Sequence, residues 1–185
     1  MPKSPVSVIM AVYNTERYLE QAVASIQHQT FGDFELVIID DGSTDDSPNI
    51  LKKLAAQDRR IKWFRQDNTG IGAATSRAIS ESCGDYIAIM DSDDIALPDR
   101  LALQKAFLDR HPDIDAVGSQ WRMLNASDDD VGIDTHPLDS DTIATVMFAY
   151  MALHHPTTMM RRSAIDQVGG YLTDRSCVVP DYDVF

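Results

Sequence analysis

The chain has 185 residues, 44% of them hydrophobic and 24% charged, with a formal net charge of -13. That balance suits one soluble domain with a substantial core. The charge argues against a nucleic-acid binder, which needs a basic face. It does not exclude a nucleotide, because a metal ion can bridge acidic protein and acidic phosphate. No run of about 18 apolar residues offers a membrane span. The start, Met1-Pro2-Lys3-Ser4-Pro5, lacks the apolar region of a signal peptide. Cys83 and Cys177 have no metal or redox spacing and point to a reducing compartment.

Val6-Ser7-Val8-Ile9-Met10-Ala11-Val12 reads as a central strand. Tyr13-Asn14-Thr15 follows, with Asn14 or Thr15 placed to cap a helix over Glu16 to Gln29. Leu19, Ala22, Val23 and Ile26 give that helix its apolar face. Phe34 to Ile39 reads as a second buried strand and ends in Asp40-Asp41-Gly42-Ser43-Thr44-Asp45. Ser47-Pro48 predicts a helix start, and Ile61 to Arg65 a short third strand. The turn-rich Asp67 to Gly72 leads into a small-residue helix, Ala73 to Ser82.

Tyr86-Ile87-Ala88-Ile89-Met90 is a fourth buried strand, and it stops in Asp91-Ser92-Asp93-Asp94. Clustered acids repel and are costly to desolvate without a compensating charge. Two readings are open here: a divalent-cation site of hard oxygens, or an acidic turn before the next helix. Strands alternating with helices predict an α/β domain with a mostly parallel sheet covered on both faces. In such a sheet Asp40-Asp41 and Asp91 to Asp94 fall at the same end, where open sheets bind ligands.

Leu97-Pro98-Asp99-Arg100 opens another helix, which His111-Pro112 stops. Ala116 to Trp121 suits a strand, residues 125 to 141 an exposed acidic loop, and Asp141 to Leu153 an amphipathic stretch. His154 to Met160 looks strand-like after its proline, and Arg162-Ser163 begins a short helix. No repeat or linker divides the chain, so residues 1–185 form a single domain. Met147, Met151, Met159 and Met160 suit core or subunit-contact packing, which leaves a homodimer open. Asn68-Thr69-Gly70-Ile71-Gly72 has neither the Lys-Ser/Thr of a P-loop nor a complete dinucleotide fingerprint. Arg77 is placed to approach phosphate or to pair with Asp40, and a surface role suits it as well.

The ordered set of segments resembles the inverting, nucleotide-sugar-dependent family 2 glycosyltransferases. Its parts are Val6 to Met10 with Tyr13-Asn14, Ser25-Ile26 with Gln29-Thr30, Phe34 to Asp45, Asn68 with Gly70, Asp91-Ser92-Asp93-Asp94, and Pro98-Asp99-Arg100-Leu101. The resemblance runs from about Val6 to the last residue. It implies a GT-A fold, a Rossmann-like nucleotide-binding sheet flanked by helices. It also implies a nucleotide site built from Ala11, Tyr13, Asp41, Asn68, Arg77 and Asp91. Tyr13 would stack near the base, and Asp41 would accept from a uracil imide N–H. Asp91 would face the ribose or the metal's waters, and Asp93 would ligate Mn²⁺ or Mg²⁺. For Asp41, a turn-capping role is the other reading.

Inversion needs a base for the acceptor hydroxyl. In the family this is the Asp of a Glu-Asp pair, which maps onto Pro180-Asp181 and makes Asp181 the candidate. Pro180 in place of Glu is a departure. His154-His155-Pro156-Thr157 resembles an acceptor-side strand, where either histidine could touch diphosphate or metal or be structural. Family members continue beyond the position of Phe185, so the resemblance implies a domain truncated at its C-terminal end. The missing region is expected to carry acceptor binding or peripheral membrane association. The implied activity is transfer of a sugar from a nucleotide donor, UDP-linked by expectation, to a glycan or lipid-linked acceptor hydroxyl. Its setting would be bacterial polysaccharide synthesis at the cytoplasmic face of the membrane. The alternative is a catalytically silent sugar-nucleotide-binding domain of the same fold.

Overall fold

The computed structural model describes residues 4–125, 127, 129–147, 149 and 152–171. Four strands form its centre: β1 (Val6–Val12), β2 (Phe34–Asp40), β3 (Ile61–Arg65) and β4 (Tyr86–Ile89). They pair in parallel in the order β3-β2-β1-β4. Two short strands, β5 (Ala116–Val117) and β8 (Met159–Arg161), extend the sheet beyond β4 in the order β4-β8-β5. β8 runs antiparallel to both neighbours. A separate antiparallel pair joins β6 (Trp121–Leu124) to β7 (Asp130–Asp134).

The sheet separates two apolar layers because successive side chains of a strand point to opposite faces. Val6, Val8, Met10 and Val12 of β1 face one layer, with Leu36 and Ile38 of β2. Helices α1 (Glu16–Gln27), α2 (Ser47–Gln57) and α4 (Arg100–Arg110) cover that face through Leu19, Val23, Leu51, Leu101 and Leu108. Ile9, Val37 and Ile39 face the other layer, under α3 (Ile71–Ser80) and α6 (Arg162–Val168). The small side chains of Ala74 and Ala78 let α3 lie close on the sheet. A short helix, α5 (Ser140–Val146), has no buried residue.

Several boundaries differ from the sequence reading. The first helix stops at Gln27, and α3 begins at Ile71, just after Gly70 with its positive φ of 96°. The single strand expected from Ala116 to Trp121 is two, β5 and β6, in different sheets. The loop expected at residues 125 to 141 contains β7, whose apolar residues Val131 and Ile133 are exposed. A strand with no buried face lacks the hydrophobic run by which a strand is recognised. His155–Thr157 is a 3₁₀ turn around Pro156, and the strand starts only at Met159. Met159 and Met160 are core residues, whereas Met151 lies outside the described residues.

Candidate functional site

Two loops at the carboxyl ends of β1 and β2 lock together before either meets a ligand. Asn14 adopts φ 55°, the left-handed region that asparagine tolerates better than most residues. Its amide oxygen accepts from the Thr44 N–H at 2.7 Å, while its own N–H donates to Ser43 Oγ at 3.0 Å. Thr15 holds the cap position of α1 but makes no side-chain cap bond. Capping comes instead from across the loops, where Asp45 accepts from the Glu16 N–H at 2.9 Å. Glu16 returns a bond from the Asp46 N–H at 2.7 Å. This reciprocal bonding fixes the turn that carries Tyr13, whose side chain remains half exposed.

Asp41 follows β2 and is 3% exposed. Its Oδ1 accepts from Gln66 Nε2 at 2.7 Å, the Thr69 N–H at 2.9 Å and Thr69 Oγ1 at 3.2 Å. Its Oδ2 accepts from the Gly70 N–H at 2.8 Å. The carboxylate therefore shapes the 66–70 loop that leads into α3. Gly42 presses on the same loop, because a Cβ there would stand 2.8 Å from the Asn68 backbone nitrogen. Its φ of 82° is a second reason for glycine. Neighbouring Asp40 is wholly buried and accepts from the Ser43 N–H at 2.9 Å. It pairs with Arg65, 3.4 Å away, and not with Arg77 as the sequence allowed. Arg77 donates instead to the Arg65 carbonyl and to Gln66 Oε1, each at 3.1 Å, and its guanidinium lies over Phe64.

The acids after β4 lie close to a part-buried cation, Arg100. Arg100 sends Nη2 to the Ile89 carbonyl at 2.6 Å and to the Thr158 carbonyl at 3.2 Å. Its Nε donates to Gln104 Oε1 at 3.2 Å. Desolvation pulls this guanidinium down to about 10, against the opposing pull of Asp94 and Asp91. Asp94 is exposed, and the partial desolvation of its carboxyl by neighbouring protein atoms, with the charge of Asp93, pushes it up. The turn is also tied to α1. Gln29 donates to the Leu97 carbonyl at 2.8 Å and accepts from the Leu101 N–H at 3.0 Å. Ser25 Oγ accepts from the Ala96 N–H at 3.0 Å, and Thr30 Oγ1 donates to Asp99 at 2.8 Å. Ser25, Gln29 and Thr30 thus hold the segment that begins α4.

These parts meet around one cavity of about 290 Å³. Ala11, Val12, Tyr13 and Thr15 line it from β1, Asp41, Asn68, Gly70, Ile71 and Ala74 from the β2 and α3 side, and Asp91, Ser92 and Asp93 from β4. The residues expected at a nucleotide site therefore come together, except Arg77, which does not line the cavity. Asp94 does not line it either. Asp181 lies outside the described residues. His154 stacks on Trp121 with ring centroids 4.0 Å apart, and His155 bonds the Tyr171 hydroxyl at 2.7 Å. Neither histidine lines this cavity.

Two hard carboxylates, Asp91 and Asp93, share the wall. Among the described residues no group of three or more His, Cys, Asp or Glu forms a closed metal cage. This donor set fits Mg²⁺ or Mn²⁺, which use one or two carboxylates and complete their shell with water and phosphate oxygens. A larger cavity of about 680 Å³ lies between β5, α5 and α6. Its lining is mainly apolar, with Asp115 the one carboxylate among the described residues. The clustered acids Asp41, Asp91 and Asp93 line the smaller cavity.

The family model for glycosyl transferase family 2 matches residues 7–169. The chain belongs to that family. It is 36% identical over 173 residues to a putative glycosyltransferase, EpsE, of Bacillus subtilis, an alignment covering 92% of this chain and 61% of EpsE. EpsH of the same organism is 41% identical over 99 residues, 54% of this chain and 29% of EpsH. Among solved structures, S. aureus TarS 1-349 in complex with UDP matches with a TM-score of 0.74 at 22% identity. That match covers 97% of this chain and 53% of the TarS chain. A mannosyltransferase from Pyrobaculum calidifontis, in complex with GDP-Man and Mn²⁺, matches with a TM-score of 0.70 at 21% identity, over 93% and 48% of the two chains. The fold of this family 2 chain is thus the GT-A fold. The chain spans about three fifths of EpsE and about half of the two solved chains.

For a family 2 chain, its sequence left several working residues unmarked. Gln66 and Thr69 hold Asp41, yet they read only as turn residues. Arg100 was visible in Pro98-Asp99-Arg100-Leu101, but its bonds to the Ile89 and Thr158 carbonyls were not. The proline before it and the acids upstream were the available signal.

Proposed function

We infer that this chain is the donor-binding and catalytic region of a metal-dependent inverting glycosyltransferase. The observation that carries this reading is the shared cavity. Asp41 and Asn68 line it from one side and Asp91 and Asp93 from the other, at the carboxyl ends of parallel strands. The donor is a nucleotide-sugar, with UDP as its nucleotide. Tyr13 supplies an aromatic face at the cavity's edge, suited to stacking on a base. Asp41 supplies an acceptor for the base, and Asp91 an acceptor for ribose hydroxyls. Asp93 with Asp91 would hold Mn²⁺ or Mg²⁺, which when bound supplies Lewis-acid stabilisation of the leaving diphosphate.

Asp181 takes the proton of the acceptor hydroxyl. The acceptor oxygen then bonds to the anomeric carbon as the bond from that carbon to the diphosphate oxygen breaks, inverting the centre. The acceptor is a hydroxyl of a glycan or of a lipid-linked sugar, met at the inner face of the cytoplasmic membrane. No described helix is long and apolar enough to cross a membrane.

A panel of nucleotide-sugars offered with Mn²⁺ tests this reading through the melting temperature. Stabilisation by UDP-sugars is expected, and no response to any member of the panel contradicts it. Asp181→Asn separates the roles. Donor-induced stabilisation should persist, while sugar transfer or slow donor hydrolysis should disappear.

A further inference from the structure

We propose that Gln66 and Thr69 set the base specificity of the nucleotide site by filling one oxygen of Asp41, so that it accepts the single imide N–H of a uracil-type base and rejects guanine. The inference rests on the reading of the cavity as a nucleotide site. It follows from counting acceptor positions. A carboxylate offers about four lone-pair sites over two oxygens. Oδ1 of Asp41 already takes three donors, Gln66 Nε2, the Thr69 N–H and Thr69 Oγ1. Oδ2 takes one, the Gly70 N–H. With two sites on each oxygen, Oδ1 is full, two of its three donors sharing a site, and one position remains on Oδ2.

The orientation of Gln66 is fixed independently. A guanidinium can only donate, and Arg77 Nη1 stands 3.1 Å from Gln66 Oε1. The amide oxygen must therefore face Arg77, and its nitrogen faces Asp41 and, at 2.6 Å, Thr69 Oγ1. Arg77 acts on the site through this amide, two bonds removed from the cavity. The Thr69 hydroxyl, receiving from Gln66, is left to donate to Asp41.

Bases differ in what they offer to such an acceptor. Guanine presents two adjacent donors, its ring N–H and its exocyclic amino group, which suit both oxygens of an open carboxylate. Here the second donor would meet a filled oxygen and stay unpaired, at a cost of about tenfold or more in affinity. Adenine and cytosine place a ring-nitrogen lone pair beside their amino donor, and that lone pair would face the carboxylate. Uracil offers one N–H between two carbonyls and matches the single position. Gln66 and Thr69 are thus positioning residues that act through Asp41.

The test is calorimetric affinity for UDP and GDP with Mn²⁺, in the wild-type chain, in Thr69→Val, and in the double variant Gln66→Leu with Thr69→Val. UDP should bind the wild type about tenfold or more tightly than GDP. The double variant removes two of the three donors from Oδ1 and should narrow that ratio. Thr69→Val should narrow it partway, and it decides alone if the double variant does not fold. A wild type that binds GDP as well as UDP overturns the inference and leaves the nucleotide site standing. So does an unchanged ratio in a variant that keeps the wild-type melting temperature. Binding of neither nucleotide to the wild type overturns the site itself.

Discussion

Arg100 donates to the carbonyl of Ile89 at 2.6 Å, joining the start of α4 to the last residue of β4. The same nitrogen reaches the Thr158 carbonyl, just before β8. One part-buried guanidinium therefore holds three segments together close to Asp91 and Asp94. Arg100→Met keeps much of the packing volume but leaves those carbonyls without their donor. It should cost about 1–3 kcal/mol of stability and weaken Mn²⁺-dependent UDP binding. Chemical denaturation and calorimetry check the two effects. Unchanged nucleotide affinity in a destabilised variant would show that Arg100 supports the fold without positioning the acids.

Glu35 governs acid stability from the opposite end of the sheet. Burial alone would raise its carboxyl, but hydrogen bonds from Lys62, Ser7 and the Cys83 N–H outweigh burial and hold it at about 2. The distances are 2.7 Å to Lys62 Nζ and 2.6 Å to each of the other two donors. A folded value below the ordinary 4.5 means that the stabilisation is full above about pH 4.5. It falls away as pH drops through that value towards 2. The difference amounts to about 3 kcal/mol at neutral pH. Glu35→Gln should lower stability at pH 7 and flatten its decline between pH 5 and about 2, which denaturation at a series of pH values measures.

Gly42→Ala combines two penalties. Its φ of 82° disfavours a side chain, and the new Cβ would stand 2.8 Å from the Asn68 nitrogen. Displacing Asn68 moves a wall of the cavity that it lines with Asp41, Asp91 and Asp93. The variant should lose about 1–3 kcal/mol of stability and also lose UDP affinity. Gly70→Ala has a positive φ of 96° but no atom within 4 Å of the added carbon. It should therefore show strain without the clash, and a smaller affinity loss separates the two effects.

The parallel core was legible because its strands are continuous apolar runs. Val6 to Val12 and Phe34 to Asp40 match the predicted positions almost residue for residue. The acids at both strand ends were legible for the same reason, since charge directly after a buried run stands out. What lay hidden depends on contacts distant in sequence. Asp41 meets Gln66 and Thr69 across more than twenty residues, and Gln29 meets Leu97 and Leu101 across about seventy. A motif marks such residues but does not say whom they touch. The β6 and β7 pair escaped because, apart from Trp121, its large apolar residues Met123, Leu124, Val131 and Ile133 are exposed, so burial left little signature in the sequence. The direction of β8 was equally hidden, since apolar content does not encode which way a strand runs.

If Asp91 and Asp93 serve a metal-assisted nucleotide site, UDP binding must depend on the metal. Calorimetric titration of UDP into this chain, with Mn²⁺ and then with the metal chelated, tests it most directly, with Asp93→Asn as the companion variant. Binding should be measurable with Mn²⁺ and weaken by about tenfold or more on chelation or in Asp93→Asn. UDP binding that is absent with Mn²⁺, or equally strong with and without it in both proteins, would contradict the account.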